Sequence, residues 1–142
     1  MSFRFLDHTA DIKIEVIGSS YEEAFEVAGK VMAELITDNS KIDAKEKRAI
    51  KVTGEDLYAL LYEWLDALIF LFGAEGLIFS EFKVFKIEQR NNECYLVAEV
   101  WGETFDLDKH QQGTEIKAIT YSEMEIQEEK ESKIRLQFVF DI

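Results

Sequence analysis

The order of helical and alternating patterns predicts an α+β fold, a largely antiparallel sheet of about six strands with two amphipathic helices. Three observations carry that expectation. Residues 24–36 and 57–72 repeat apolar side chains at helical spacing. The second half of the chain alternates apolar and polar residues in several runs separated by short polar turns. Those runs follow one another without intervening helices, which argues for hairpins rather than βα units. With 142 residues and no linker or fixed-period repeat, residues 1–142 read as one domain.

Each element has its own signal. Ile12, Ile14 and Val16 alternate with Asp11, Lys13 and Glu15, the pattern of a half-buried strand. Gly18 turns the chain, and Ser20 with Glu23 forms a capping box that opens the first helix. Ala24, Phe25, Ala28, Val31, Met32, Leu35 and Ile36 form its apolar stripe, and Glu26 and Lys30 stand four apart on the other face. Residues 37–40 end it. Residues 45–52 read as a strand with only Ala49, Ile50 and Val52 to bury. The second helix starts at residues 53–56 and is expected to run to Phe72, before Gly73. Its apolar arc, from Leu57 through Trp64 to Phe72, is wide enough to imply burial on more than one side.

Residues 77–88 alternate with a slip between Val84 and Phe85, which predicts a bulge. Arg90-Asn91-Asn92 turns the chain into a strand that puts Cys94, Leu96, Ala98 and Val100 on one face. Residues 106–113 form a loop. Ile116, Ala118, Thr120, Met124 and Ile126 mark the next strand, residues 128–132 a turn. Ile134, Leu136, Phe138, Phe140 and Ile142 carry the last strand to the final residue.

Composition narrows the function classes. The formal net charge of −13 argues against bare contact with phosphate backbones, where Lys and Arg must neutralise charge. A field of that sign favours metal cations or a basic partner. Five cations lie within residues 41–51, and the plain reading is a guarded edge strand. A single cysteine, Cys94, excludes an intramolecular disulfide and any cysteine-based zinc cluster. The N-terminus has no apolar stretch of signal-peptide length, and the longest apolar run, residues 67–72, is far shorter than a bilayer span. A cytoplasmic location without membrane contact is expected.

Enzyme signatures are missing: no Gly-rich phosphate loop, no G-x-S-x-G elbow and no H-E-x-x-H helix. Cys94 falls on a core face, where a thiol is packing rather than nucleophile. Two aspartates are better placed. Asp11 opens the first strand on its polar face, and Asp141 closes the last strand opposite the inward Phe138 and Phe140. Should those strands be neighbours, Asp11, Asp141 and the Ile142 carboxylate would converge into a hard oxygen site suited to Ca²⁺ or Mg²⁺. The alternative is a pair of solvated strand-end aspartates.

Several motifs together resemble the archease family: His8-Thr9-Ala10-Asp11 followed by Tyr21-Glu22-Glu23-Ala24-Phe25; Leu60-Leu61-Tyr62-Glu63-Trp64-Leu65; Gly102-Glu103; Lys117-Ala118-Ile119-Thr120-Tyr121; and the closing Asp141-Ile142. The resemblance spans the chain in one register. Ser122 departs from it, since many archaeal members carry histidine after that tyrosine, and no second imidazole is assigned there.

The resemblance implies an accessory protein rather than an enzyme. It would activate the GTP-dependent tRNA-splicing RNA ligase by promoting its guanylylation and turnover. It also implies a divalent-metal site, for calcium, at Asp11, Asp141 and Ile142, and an activating surface that includes His8, Glu103 and Lys117. The runner-up is a chaperone-like modulator of a tRNA methyltransferase or another RNA-processing enzyme, working through the apolar face of the second helix. A metal-dependent hydrolase comes third, for want of a visible base and substrate motif. His8 and Lys117 also have plain readings, as a locally bonded histidine and a solvated strand lysine.

Overall fold

The computed structural model describes residues 10–142. Its elements run β1 (Asp11–Gly18), α1 (Tyr21–Ile36), β2 (Glu46–Gly54), α2 (Leu57–Glu75), β3 (Leu77–Arg90), β4 (Glu93–Thr104), β5 (Ala118–Glu129) and β6 (Lys133–Asp141). The six antiparallel strands form two sheets, in orders β1-β6-β5 and β2-β4-β3. Both helices touch both sheets, α1 through β1, β6 and β3, and α2 through β5 and the whole second sheet. One core results, in which Phe25, Trp64, Leu136, Phe138 and Phe140 are fully buried. The Trp64 indole N–H is satisfied there by the Phe25 carbonyl at 2.8 Å.

The first helix begins as its capping box requires. The Ser20 hydroxyl accepts from the Glu23 N–H at 3.1 Å, while the Glu23 carboxylate reaches back to the Ser19 N–H at 2.9 Å. Glu26 departs from expectation. Its carboxylate accepts the Val84 N–H at 2.7 Å, and Glu22 accepts the Ile87 N–H at 3.4 Å. Those two donors flank the bulge between Val84 and Lys86, as the slip in alternation predicts. On an edge strand such N–H groups invite pairing with another chain, and α1 occupies them with carboxylates.

Asp56 caps α2 by accepting the Ala59 N–H at 2.8 Å. The helix does not stop at Gly73; it continues to Glu75 and ends at Gly76, whose φ of 69° is left-handed. A glycine inside a helix costs only about 1 kcal/mol, whereas the terminating left-handed position selects glycine strongly. By length and composition α2 could cross a bilayer, despite the short uninterrupted run in the sequence. In this fold Leu60, Leu61, Trp64, Leu65 and Leu68 form its buried face.

The basic segment ends in β2, an edge strand. Of its expected buried residues Ile50 is buried and Val52 partly so, but Ala49 is exposed. Lys47 pairs with Glu99 at 3.1 Å and Arg48 with Glu75 at 3.3 Å, so part of this positive charge is neutralised within the fold.

Candidate functional site

The first and last strands are neighbours, and their register sets Asp11 directly opposite Asp141. The Ile142 N–H donates to the Ala10 carbonyl at 2.9 Å. Hydrogen-bonded and non-bonded pairs alternate along an antiparallel ladder, so Asp11 and Asp141 form a non-bonded pair. In such a pair the Cα atoms are about 4.5 Å apart and the side chains lie closest. Both aspartates are exposed, and neither has an ion-pair partner among the described residues. Like charges directly opposed across a ladder are unfavourable. Lys117 comes to the same sheet end, its N–H donating to the Asp141 carbonyl at 2.8 Å, with its side chain exposed. The beginnings of β1 and β5 and the end of β6 therefore bring Asp11, Asp141, Ile142 and Lys117 together. His8 lies outside the described residues.

Among the described residues, no three His, Cys, Asp or Glu side chains converge as metal ligands. A cation at this sheet end would rest on two side-chain carboxylates together with main-chain or terminal oxygens. Such a donor set fits a hard ion, since Ca²⁺ takes about six to eight oxygen ligands and accepts water in the remaining positions. It is a poor set for zinc, which prefers imidazole and thiolate.

Glu103 has a different setting. It follows Gly102 in β4, at a point where β3 approaches so closely that any Cβ on Gly102 would collide with the Ile78 carbonyl. Glu103 is only 6% exposed. Its Oε2 accepts from the Asp43 N–H at 2.7 Å and from the Lys109 ammonium at 2.6 Å, and Lys45 lies 3.6 Å from Oε1. The His110 ring, itself 1% exposed, completes the cluster with Nε2 at 3.0 Å from the same carboxylate. Because the Asp106 N–H donates to His110 Nδ1 at 2.9 Å, the proton sits on Nε2 and points at Glu103. Burial alone would raise the Glu103 carboxyl, but the Asp43 N–H, Lys109 and His110 outweigh it and hold it down at about 2.

This cluster ties the segment before β2 to the loop after β4, and the His110 ring stacks on Phe105 at 5.6 Å. The sequence marks His110 as one of two imidazoles without giving it a partner, and Asp43 and Lys109 carry no signal there. Asp43 joins the cluster from about 60 residues away, whereas Lys109 and His110 reach Glu103 through the fold of the loop that follows it, which no alternating or helical pattern encodes.

The family model described as "Archease protein family (MTH1598/TM1083)" matches residues 3–142. The chain belongs to the archease family. "Protein archease" of Sulfurisphaera tokodaii is 44% identical over 140 residues, covering 99% of this chain and 98% of its own. "Protein archease-like" of Drosophila melanogaster is 41% identical, covering 93% of this chain and 84% of its own. The solution structure of protein 1598 of Methanobacterium thermoautotrophicum aligns with a TM-score of 0.81 at 36% identity, covering 96% of each chain. The crystal structure of an archease, possible chaperone, from Thermotoga maritima shares the fold with a TM-score of 0.64 at 24% identity, covering 100% of this chain and 98% of its own.

The archease motif that contains Lys117 runs into a second irregularity, which sequence reading also missed. The ladder between β5 and β6 breaks between Thr120 and Glu125. Glu123 there has a φ of 53°, in the left-handed region. Its carboxylate reaches Lys13 on β1 at 3.1 Å, and its carbonyl accepts from the Gln137 side chain at 2.8 Å. The bulged residues thus reach across β6, and Gln137 and Val139 on the outer face are buried.

Proposed function

We propose that this archease is a non-catalytic accessory protein that activates the GTP-dependent tRNA-splicing RNA ligase, promoting its guanylylation and turnover in the cytoplasm. The observation that carries the reading is the in-register Asp11–Asp141 pair, with Lys117 beside it at an exposed sheet end. Two like charges held together without a cationic partner among the described residues cost stability, which fits a place kept for binding. Asp11, Asp141 and the Ile142 carboxylate would hold a divalent cation, Ca²⁺ by the family resemblance. When bound, the cation supplies positive charge of the kind that offsets phosphate oxygens during nucleotidyl transfer. Lys117 presents a further exposed cation at the same edge, suited to a phosphate or carboxylate of the ligase. His8 belongs to this surface in the same reading. Glu103 holds the loop after β4 in place and contributes through the fold.

The test is a multiple-turnover ligation of broken tRNA halves by the cognate ligase with GTP and Mn²⁺. Adding this protein should raise turnover well above one ligation per ligase molecule. Unchanged turnover with a demonstrably active ligase would contradict the reading. It would favour the chaperone-like role toward a tRNA methyltransferase, for which the 65% exposed Phe70 on α2 offers an apolar contact.

A further inference from the structure

Away from the acid pair, β5 carries an aromatic surface that the proposed function leaves unused. Tyr121 stacks on Tyr62 of α2, with ring centroids 4.6 Å apart and planes within 9°. Tyr121 is still 54% exposed, and Tyr58, one turn before Tyr62, is 41% exposed. Glu55, Asp56 and Glu63 are exposed around this pair. Partial burial pushes the Tyr121 phenol up, and the charges of Glu63, Asp56 and Glu55 act in the same direction, so these carboxylates lie within electrostatic reach of the ring. Among the described residues, no cation of the chain stacks on either tyrosine. Beside Tyr58 lies an open groove of 560 Å³, bounded by Glu55 and Asp56 on one side and by Asn91, Asn92, Glu93 and Arg90 on the other; the Arg90 cation there is already held by Glu88 at 3.6 Å and by the Tyr95 ring.

We infer that this surface docks an arginine-bearing segment of a protein partner, with a guanidinium stacked on Tyr121 and facing Glu55, Asp56 and Glu63. Arginine fits best because its planar cation stacks on an aromatic face and is weakly hydrated. The chain makes the same contact within itself, where Arg90 sits 4.9 Å over the Tyr95 ring. Nucleic acid is a poor occupant, since its phosphates would meet three carboxylates and a net charge of −13. The groove beside Tyr58, one helical turn from Tyr62, gives an extended peptide backbone room to lie. None of this depends on the Asp11–Asp141 reading.

A capped Gly-Arg-Gly-Arg-Gly peptide and its citrulline counterpart, titrated into the full chain at about 0.15 M salt, test the inference by anisotropy and amide NMR shifts. The arginine peptide should bind at least about fivefold tighter than the citrulline peptide, with shifts gathered at Tyr62, Tyr121 and residues 55–58. Tyr121→Ala should weaken it about fivefold, whereas Tyr121→Phe, which keeps the ring, and Glu129→Gln, at the far end of β5, should stay within about twofold. No detectable arginine-peptide binding, equal binding of the two peptides, equal binding by Tyr121→Ala, or shifts spread over the acidic surface would each overturn it.

Discussion

Glu103 and the Asp11–Asp141 pair are both acidic positions at strand ends, and the fold treats them in opposite ways. Around Glu103 stand a main-chain N–H, an ammonium and an imidazole N–H, all aimed at one carboxylate oxygen. Around Asp11 and Asp141 the main chain supplies register but, among the described residues, no donor to the side chains, and each aspartate faces another negative charge. A carboxylate whose lone pairs are filled from within the chain is spoken for. One held exposed against its like is available to something outside. The comparison separates stability from function within one fold, and it can be broken at either end.

The largest effect belongs to neither acid. Phe140, next to Asp141 but facing the core with no exposure, should cost about 3–5 kcal/mol when cut to alanine, read from urea melts. Glu103→Gln should cost about 2–3 kcal/mol, because Lys109 and the Asp43 N–H lose a charged acceptor while Lys109 keeps some solvent. The same residue sets a pH dependence. Its folded pKa of about 2 lies below the ordinary 4.5, so its stabilisation is fully present above about 4.5 and is lost as pH falls toward 2. Wild-type melting temperature should therefore drop through that window more than that of Glu103→Gln. Equal slopes in the two proteins would show that the cluster is not the stabilising element.

A smaller effect sharpens the other side. If the exposed aspartates hold a cation, Ca²⁺ at ten times its Kd should stabilise the native state by about 1.4 kcal/mol, and Asp11→Asn should lose that gain. Calorimetric titration of the same two proteins should show heat only with wild type. Equal binding by both would move the site elsewhere.

Much of this was legible locally. The capping box, the slip at Phe85, the Asn91-Asn92 turn and the polar faces of Asp11 and Asp141 depend on residues a few positions apart. What escaped depends on partners distant in sequence or on backbone angles and loop folding that residue type alone does not reveal. Glu26 looked like a helix-surface partner for Lys30 because nothing in α1 signals that the Val84 N–H will arrive. Gly73 looked like the end of α2 because two glycines follow close together, and only the backbone angle at Gly76 tells which one terminates it. Glu103 appeared as a surface residue through its motif; three donors from two other segments bury it. The division of six strands into two sheets is likewise a property of long-range pairing.

The claim that Asp141 serves function and not folding is tested most directly by Asp141→Ala, melted without added metal and then assayed in multiple-turnover ligation. The substitution removes no apolar burial and relieves repulsion with Asp11, so its stability should match wild type or exceed it by about 0.5 kcal/mol. The folded variant should fail to raise ligase turnover. A variant that unfolds as readily as Phe140→Ala, or one that folds and still activates the ligase, would contradict the account.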